Sequence, residues 1–163
     1  MEIFIYSRSK FKEIINGMSK SEIDKSAIIS IHSPKIGMSF NDTDPILSDS
    51  ENVLNLWFHD TDPEAEVEWM MPNVQYEEVL FDEEMAKSIK RFVLANEDKK
   101  RWIIHCTAGK CRSGAVGEVL SDFFKIPYSE FKRSNPQIQP NIYVKKILKK
   151  VFDQTLYSNY CDE

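Results

Sequence analysis

His105-Cys106-Thr107-Ala108-Gly109-Lys110-Cys111-Arg112-Ser113-Gly114 is the stretch from which the rest of the chain is read. Before it, Arg101–Ile104 carries the apolar run Trp102, Ile103 and Ile104, the pattern of a buried strand. After it, Ala115, Val116, Val119, Leu120, Phe123 and Phe124 recur at helical spacing, which starts a helix near Arg112. A turn that enters a helix in this way gathers unpaired backbone N–H groups at the positive end of the helix dipole, and so makes an anion site. Gly109 permits the backbone conformations that let those groups converge. Arg112 adds a planar fork able to hold two oxygens of one phosphate. Cys106 stands in the same positive field, the setting in which a cysteine serves as a nucleophile. Ser113 can donate to that sulfur, and His105 can brace the turn. The combination suits nucleophilic attack on phosphorus.

The remaining composition bounds the fold and the partners. The chain has 163 residues, 42% of them hydrophobic, with ten Phe and three Trp, enough for one domain with a real core over residues 1–163. No apolar run approaches the roughly 18 residues a membrane span needs, and the N-terminus lacks the pattern of a signal peptide. Three unevenly spaced cysteines do not form a disulfide framework, and a reactive thiol needs a reducing compartment, so a cytoplasmic protein is expected. The net charge is −5, and residues 41–84 carry fourteen acidic side chains and no Lys or Arg. Such a block argues against nucleic acid as partner and reads as a solvated rim. His32, His59 and His105 are scattered in sequence, so neither a metal site nor any other cofactor is expected.

Strand and helix signals alternate along the chain. Strands are expected over Glu2–Tyr6, Ala27–Ile31, Val53–Phe58 and Arg101–Ile104. Helices are expected over Arg8–Ile15 with Ser7 as N-cap and Gly17 as stop, for about fourteen residues after Asp82, and from near Arg112 to Pro127. Two more are expected over Tyr128–Arg133 and from Asn141 to about Asp153. Lys145, Lys146, Lys149 and Lys150 are expected on a solvated helix face and not at a membrane. The alternation implies an α/β sandwich, a single domain with a mainly parallel central sheet flanked by helices, its reactive turn at a strand's carboxyl end.

The pattern H-C-x5-R-S-G resembles the signature of the cysteine-based protein tyrosine phosphatase superfamily, and the chain resembles small bacterial or phage-encoded members of its dual-specificity branch. The resemblance implies the same α/β fold. It makes Cys106 the nucleophile, Arg112 the phosphate-binding arginine, Ser113 the hydroxyl that assists thiolate departure and His105 its supporting histidine. Thr107, Ala108, Gly109, Lys110 and Cys111 would complete the phosphate cradle with Arg112. Leu54–Thr61 resembles the strand and loop that carry the family's general acid, with Asp60 in the acid's place and Asp62 as its rival. The distance from Asp60 to Cys106 exceeds the usual spacing, so residues 63–80 read as an insertion or flap.

The implied activity is hydrolysis of protein phosphotyrosine, with phosphoserine and phosphothreonine as further candidates, by a chain expected to work as a monomer. Ala108-Gly109-Lys110 also resembles the loop of lipid phosphatases, which keeps a phosphoinositide substrate open. A non-catalytic phosphate-binding module and a rhodanese-like sulfurtransferase are the readings from other classes. The spacing C-x4-C-R-S further resembles the loop of the low-molecular-weight tyrosine phosphatases, and raises a reversible Cys106–Cys111 disulfide against a packing role for Cys111.

Overall fold

A computed structural model describes residues 1–35, 43–63 and 78–158. Four strands, Glu2–Ser7 (β1), Ser26–His32 (β2), Val53–Trp57 (β3) and Arg101–Cys106 (β4), form one parallel sheet in the order β1-β4-β2-β3. The helices are Arg8–Gly17 (α1), Lys20–Asp24 (α2), Glu83–Ala95 (α3), Arg112–Phe123 (α4), Tyr128–Ser134 (α5) and Ile142–Ser158 (α6). The α/β architecture expected from the sequence is therefore observed, a parallel sheet with helices against it.

Strand β4 is interior, paired with β1 on one side and β2 on the other, and Trp102–Cys106 are all buried. Side chains alternate across the sheet with period two, which divides β4 between two apolar layers. Trp102, Ile104 and Cys106 enter the larger layer with Ile29, Ile31, Val116, Leu120 and Leu148. Ile103 enters the smaller one with Phe11, Ile15 and Ile28. Cys106 thus faces the layer that holds α4. Ten successive residues of α4, Arg112–Ser121, are buried, so the helix runs through the core and its start is fixed by packing on several sides.

Local capping accounts for most helix ends. Ser7 Oγ accepts from Lys10 N at 3.2 Å and Asp82 Oδ1 from Met85 N at 2.8 Å, the two N-caps expected from sequence. Helix α1 runs two residues past Ile15 and takes in Gly17, its expected stop. Helix α2 was not expected. It is held by a capping box in which Glu22 N donates to Ser19 Oγ and Ser19 N to Glu22 Oε2, a signal present in the sequence as Ser-x-x-Glu. Helix α4 stops before Pro127. Lys125 takes a left-handed conformation (φ 56°), Ile126 N reaches back to Ser121 O and Lys125 N to Asp122 O, a Schellman closure without glycine. Helix α6 continues five residues beyond Asp153. Its lysines are largely paired: Lys145 with Glu118, Lys149 with Asp122 and Lys150 with Glu83, which ties α6 to α4 and α3. No helix among the described residues is long and apolar enough to cross a membrane. Most of the expected insertion, residues 64–77, lies outside the described residues.

The outer edge of β1 is closed by two side chains. Asn135, buried after α5, accepts from Ile5 N at 2.8 Å and donates to Ile3 O at 2.9 Å, while Gln137 Nε2 donates to Ile5 O at 2.8 Å. An edge strand otherwise presents unpaired backbone groups. Asn135→Ala leaves the buried Ile5 N–H and Ile3 carbonyl without partners, at about 1–3 kcal/mol for such a group. The melting temperature should fall by roughly 2–12 °C, since a domain of this size loses about 2–4 °C per kcal/mol. A change within about one degree in a thermal melt would show that the β1 edge does not depend on this contact.

Candidate active site

Cys106 is the last residue of β4 and Arg112 the first of α4, so the five residues between them must reverse the chain over the sheet's carboxyl end. Gly109 makes that possible. It has φ +68°, and a Cβ there would lie 2.3 Å from Ser7 N and 2.4 Å from the Tyr6 carbonyl carbon. The loop is therefore pressed against the end of β1, and any other residue would both clash and strain. Arg8 N donates to Thr107 O at 3.2 Å and closes the same contact from the α1 side. On the opposite side Gln139 N donates to Lys110 O at 3.2 Å and Asn141 N to Cys111 O at 3.1 Å. The loop is held at both flanks by backbone.

Cys106 Sγ is 2% exposed and lies 3.1 Å from Ser113 Oγ, which is fully buried on the first turn of α4. Cys111 stands at the N-cap position without a side-chain cap, and the first turn of α4 holds no acidic residue. Its leading amides and the dipole's positive end are thereby left to the loop's interior.

Arg112 is buried as well. Its Nη1 donates to Phe58 O at 2.8 Å and His32 O at 3.3 Å, its Nη2 to Thr107 Oγ1 at 2.7 Å, and Ser33 Oγ lies 3.5 Å from both. A charge taken out of water needs such partners. The guanidinium is thus fixed by the carboxyl ends of β2 and β3, while Nε has no hydrogen-bond partner among the described residues.

His105 points away from the loop. It is on the smaller face, stacked on Phe11 at 4.0 Å between ring centroids, with His32 edge-on at 5.6 Å. Burial, helped by His32, Arg8 and Arg112, pushes its pKa down to about 3 against a weak opposing pull from the Cys106 backbone, so the ring is neutral at pH 7. Neither ring nitrogen has a well-formed hydrogen bond among the described residues. His105 therefore braces β4 by packing. The histidines scattered in sequence are partly gathered in space. His32 Nε2 meets Asn55 Oδ1 at 2.8 Å and its Nδ1 meets Arg8 Nη1 at 3.2 Å, beneath the Arg112 anchor.

Asp60 follows β3 by three residues and lies over the far end of the loop. It is exposed, its Oδ1 accepts from Asn141 Nδ2 at 2.9 Å, and its charge acts on the Cys111 thiol. Asp62 is half-buried two residues on. Thr107, Ala108 and Lys110 are exposed on the loop. Cys106 and Cys111 are both free thiols. The structure therefore brings Cys106, Ser113, Arg112, Thr107, Cys111 and Asp60 into one place. Sequence reading missed Asn141, Ser33 and the carbonyls of His32 and Phe58. Backbone carbonyls carry no residue signature, and Asn141 was legible only as a helix start.

The arrangement defines a buried thiol facing an uncapped helix start and a fixed arginine, at the carboxyl end of a parallel sheet. The chain is similar to the crystal structure of Tk-PTP in the active form, at 14% identity and a TM-score of 0.45, over 94% of this chain and 93% of that one. It is also similar to PTPMT1 in complex with PI(5)P, at 10% identity and a TM-score of 0.47, over 94% of each chain. No protein-family model and no curated protein matches it.

The Cys111 thiol is pushed up to about 11, first by burial and then by the charge of Asp60. It should stay protonated and alkylate slowly with iodoacetamide at pH 8.5. In Asp60→Asn the raising charge is gone, the thiolate fraction increases and alkylation of Cys111 quickens, read by mass mapping. An unchanged rate would mean that Asp60 does not bear on this thiol.

Proposed function

We propose that the chain hydrolyses phosphomonoesters, with protein phosphotyrosine as the substrate, through a phosphocysteine formed on Cys106. The observation that carries this reading is the Arg112 guanidinium, pinned by two strand-end carbonyls while its buried Nε–H has no partner among the described residues, beside a thiol hydrogen-bonded to Ser113. An unpaired buried N–H costs about 1–3 kcal/mol, which a phosphoryl oxygen at Nε would recover. The loop amides and the α4 start supply the other donors for the three oxygens of the transferring group.

In the first step the Cys106 thiolate attacks phosphorus, the P–O ester bond breaks, and Asp60 gives its proton to the departing oxygen. In the second, Asp60 takes a proton from water, the hydroxide oxygen bonds to phosphorus, and the sulfur leaves as thiolate. Ser113 donates to that sulfur and lowers the cost of its charge. Asp60 is preferred to Asp62 because Asn141, whose N–H donates to Cys111 O on the loop, donates to its carboxylate. A thiolate of this kind belongs in a reducing compartment, so action as a cytoplasmic monomer is part of the same proposal. A second reading, a phosphoinositide substrate, is favoured by Lys110, exposed on the loop where a further phosphate would meet it.

Cys106→Ser should abolish turnover of para-nitrophenyl phosphate while keeping affinity for inorganic phosphate, and Arg112→Lys should lose both, since an ammonium cannot make the paired contact. Asp60→Asn should lower kcat on phenyl phosphate by roughly 10²–10⁴. Turnover by Cys106→Ser would reject the mechanism, and loss in Asp62→Asn but not Asp60→Asn would exchange the acids. Comparing a phosphotyrosine peptide, a phosphoserine peptide and an inositol lipid in vesicles decides between the substrates; thiosulfate–cyanide transfer would instead mark a sulfurtransferase.

A further inference from the structure

Asn141 is buried at the start of α6, and its amide is used at both ends. Its Oδ1 accepts from Val144 N at 3.1 Å, the N-cap bond of the helix. That bond requires the oxygen on this side and leaves Nδ2, which can only donate, facing the loop that follows β3. There Nδ2 donates to Asp60 Oδ1 at 2.9 Å and Thr61 O at 3.3 Å. The residue's own N–H donates to Cys111 O, and two residues earlier Gln139 N donates to Lys110 O. Two backbone bonds therefore set the register of Asn141 on the phosphate loop, and its side chain sets Asp60 against that same loop.

The consequence is stereochemical. An N–H donor on Oδ1 makes that oxygen the acceptor whether Asp60 is charged or neutral, so the acid's proton belongs on Oδ2. We infer that Asn141 is a positioning residue that fixes which carboxyl oxygen of Asp60 delivers the proton and where that oxygen stands over Cys106. This rests on the reading of Asp60 as general acid. Asn141 touches no reacting atom. Its effect is confined to steps in which a proton moves.

Asn141→Ser separates this role from capping, because a hydroxyl caps a helix about as well as an amide but is too short to reach Asp60 from the cap position and adds no charge beside it. The variant should melt within about two degrees of the parent. Its kcat on phenyl phosphate should fall roughly 10- to 100-fold, the worth of a hydrogen bond to a charged group. The two esters separate in kcat/KM, which ends with phosphoryl transfer to Cys106: it should fall with phenyl phosphate but stay within about twofold of the parent with dinitrophenyl phosphate, whose leaving group needs no proton. In an Asp60→Asn background, Asn141→Ala should cost no more than about twofold further on phenyl phosphate. Equal loss of kcat/KM on both esters, or a normal kcat on phenyl phosphate while Asp60→Asn is impaired, would make Asn141 a helix cap and nothing more. If Asp60→Asn is itself unimpaired while Cys106→Ser is dead, the acid assignment fails first and takes this inference with it.

Discussion

The ion–dipole contacts of Arg112 are the constraint on which the site depends. A guanidinium buried to this extent is tolerated only because Phe58 O and His32 O, at the carboxyl ends of neighbouring strands, accept from it. Those carbonyls are available because a parallel sheet ends all its strands on one side, and β2 and β3 run in register to that edge. Arg112 in turn begins a helix that is buried for ten residues, so the arginine cannot move without moving the core. The sheet edge, the loop and the helix are therefore one mechanical unit.

The loop that joins them has little freedom. Gly109 is pinned against Tyr6 and Ser7, Thr107 against Arg8, and Lys110 and Cys111 against the 139–141 segment. Preorganised donors cost no reorganisation when charge develops on a substrate, which is the main source of electrostatic catalysis. Under the proposed chemistry the same logic extends to the acid. Asp60 is exposed, and its carboxylate is held by the Asn141 amide at 2.9 Å. Helix α6 thus contributes to the site from outside the sheet, through its cap and not through its length.

Much of this was legible in the residues. Apolar runs with Ile and Val gave the four strands, Ser7 and Asp82 gave two helix starts, and the Cys106–Arg112 spacing located the loop. The boundaries that were missed follow from local chemistry. The Ser19–Glu22 box was short and carried no apolar stripe, so α2 went unread. Lys125 closes α4 in a conformation that glycine usually signals, and Pro127 was given the role instead. His105 was placed at the loop by proximity in sequence, whereas strand parity turns it to the opposite face. The anchoring of Arg112 by carbonyls was invisible because every residue has one. The link from Asn141 to Asp60 joins positions 81 apart in sequence, a distance that no local pattern spans.

The central claim is that Cys106 takes the phosphoryl group. Acid quenching of the protein milliseconds after mixing with a phosphotyrosine peptide, followed by peptide mapping, measures it directly. A phosphoryl group on the Cys106 peptide is predicted, absent in Cys106→Ser and persisting longer in Asp60→Asn, where water is not activated. Turnover that proceeds with no phosphorylated cysteine, or with the group on another residue, would contradict the account.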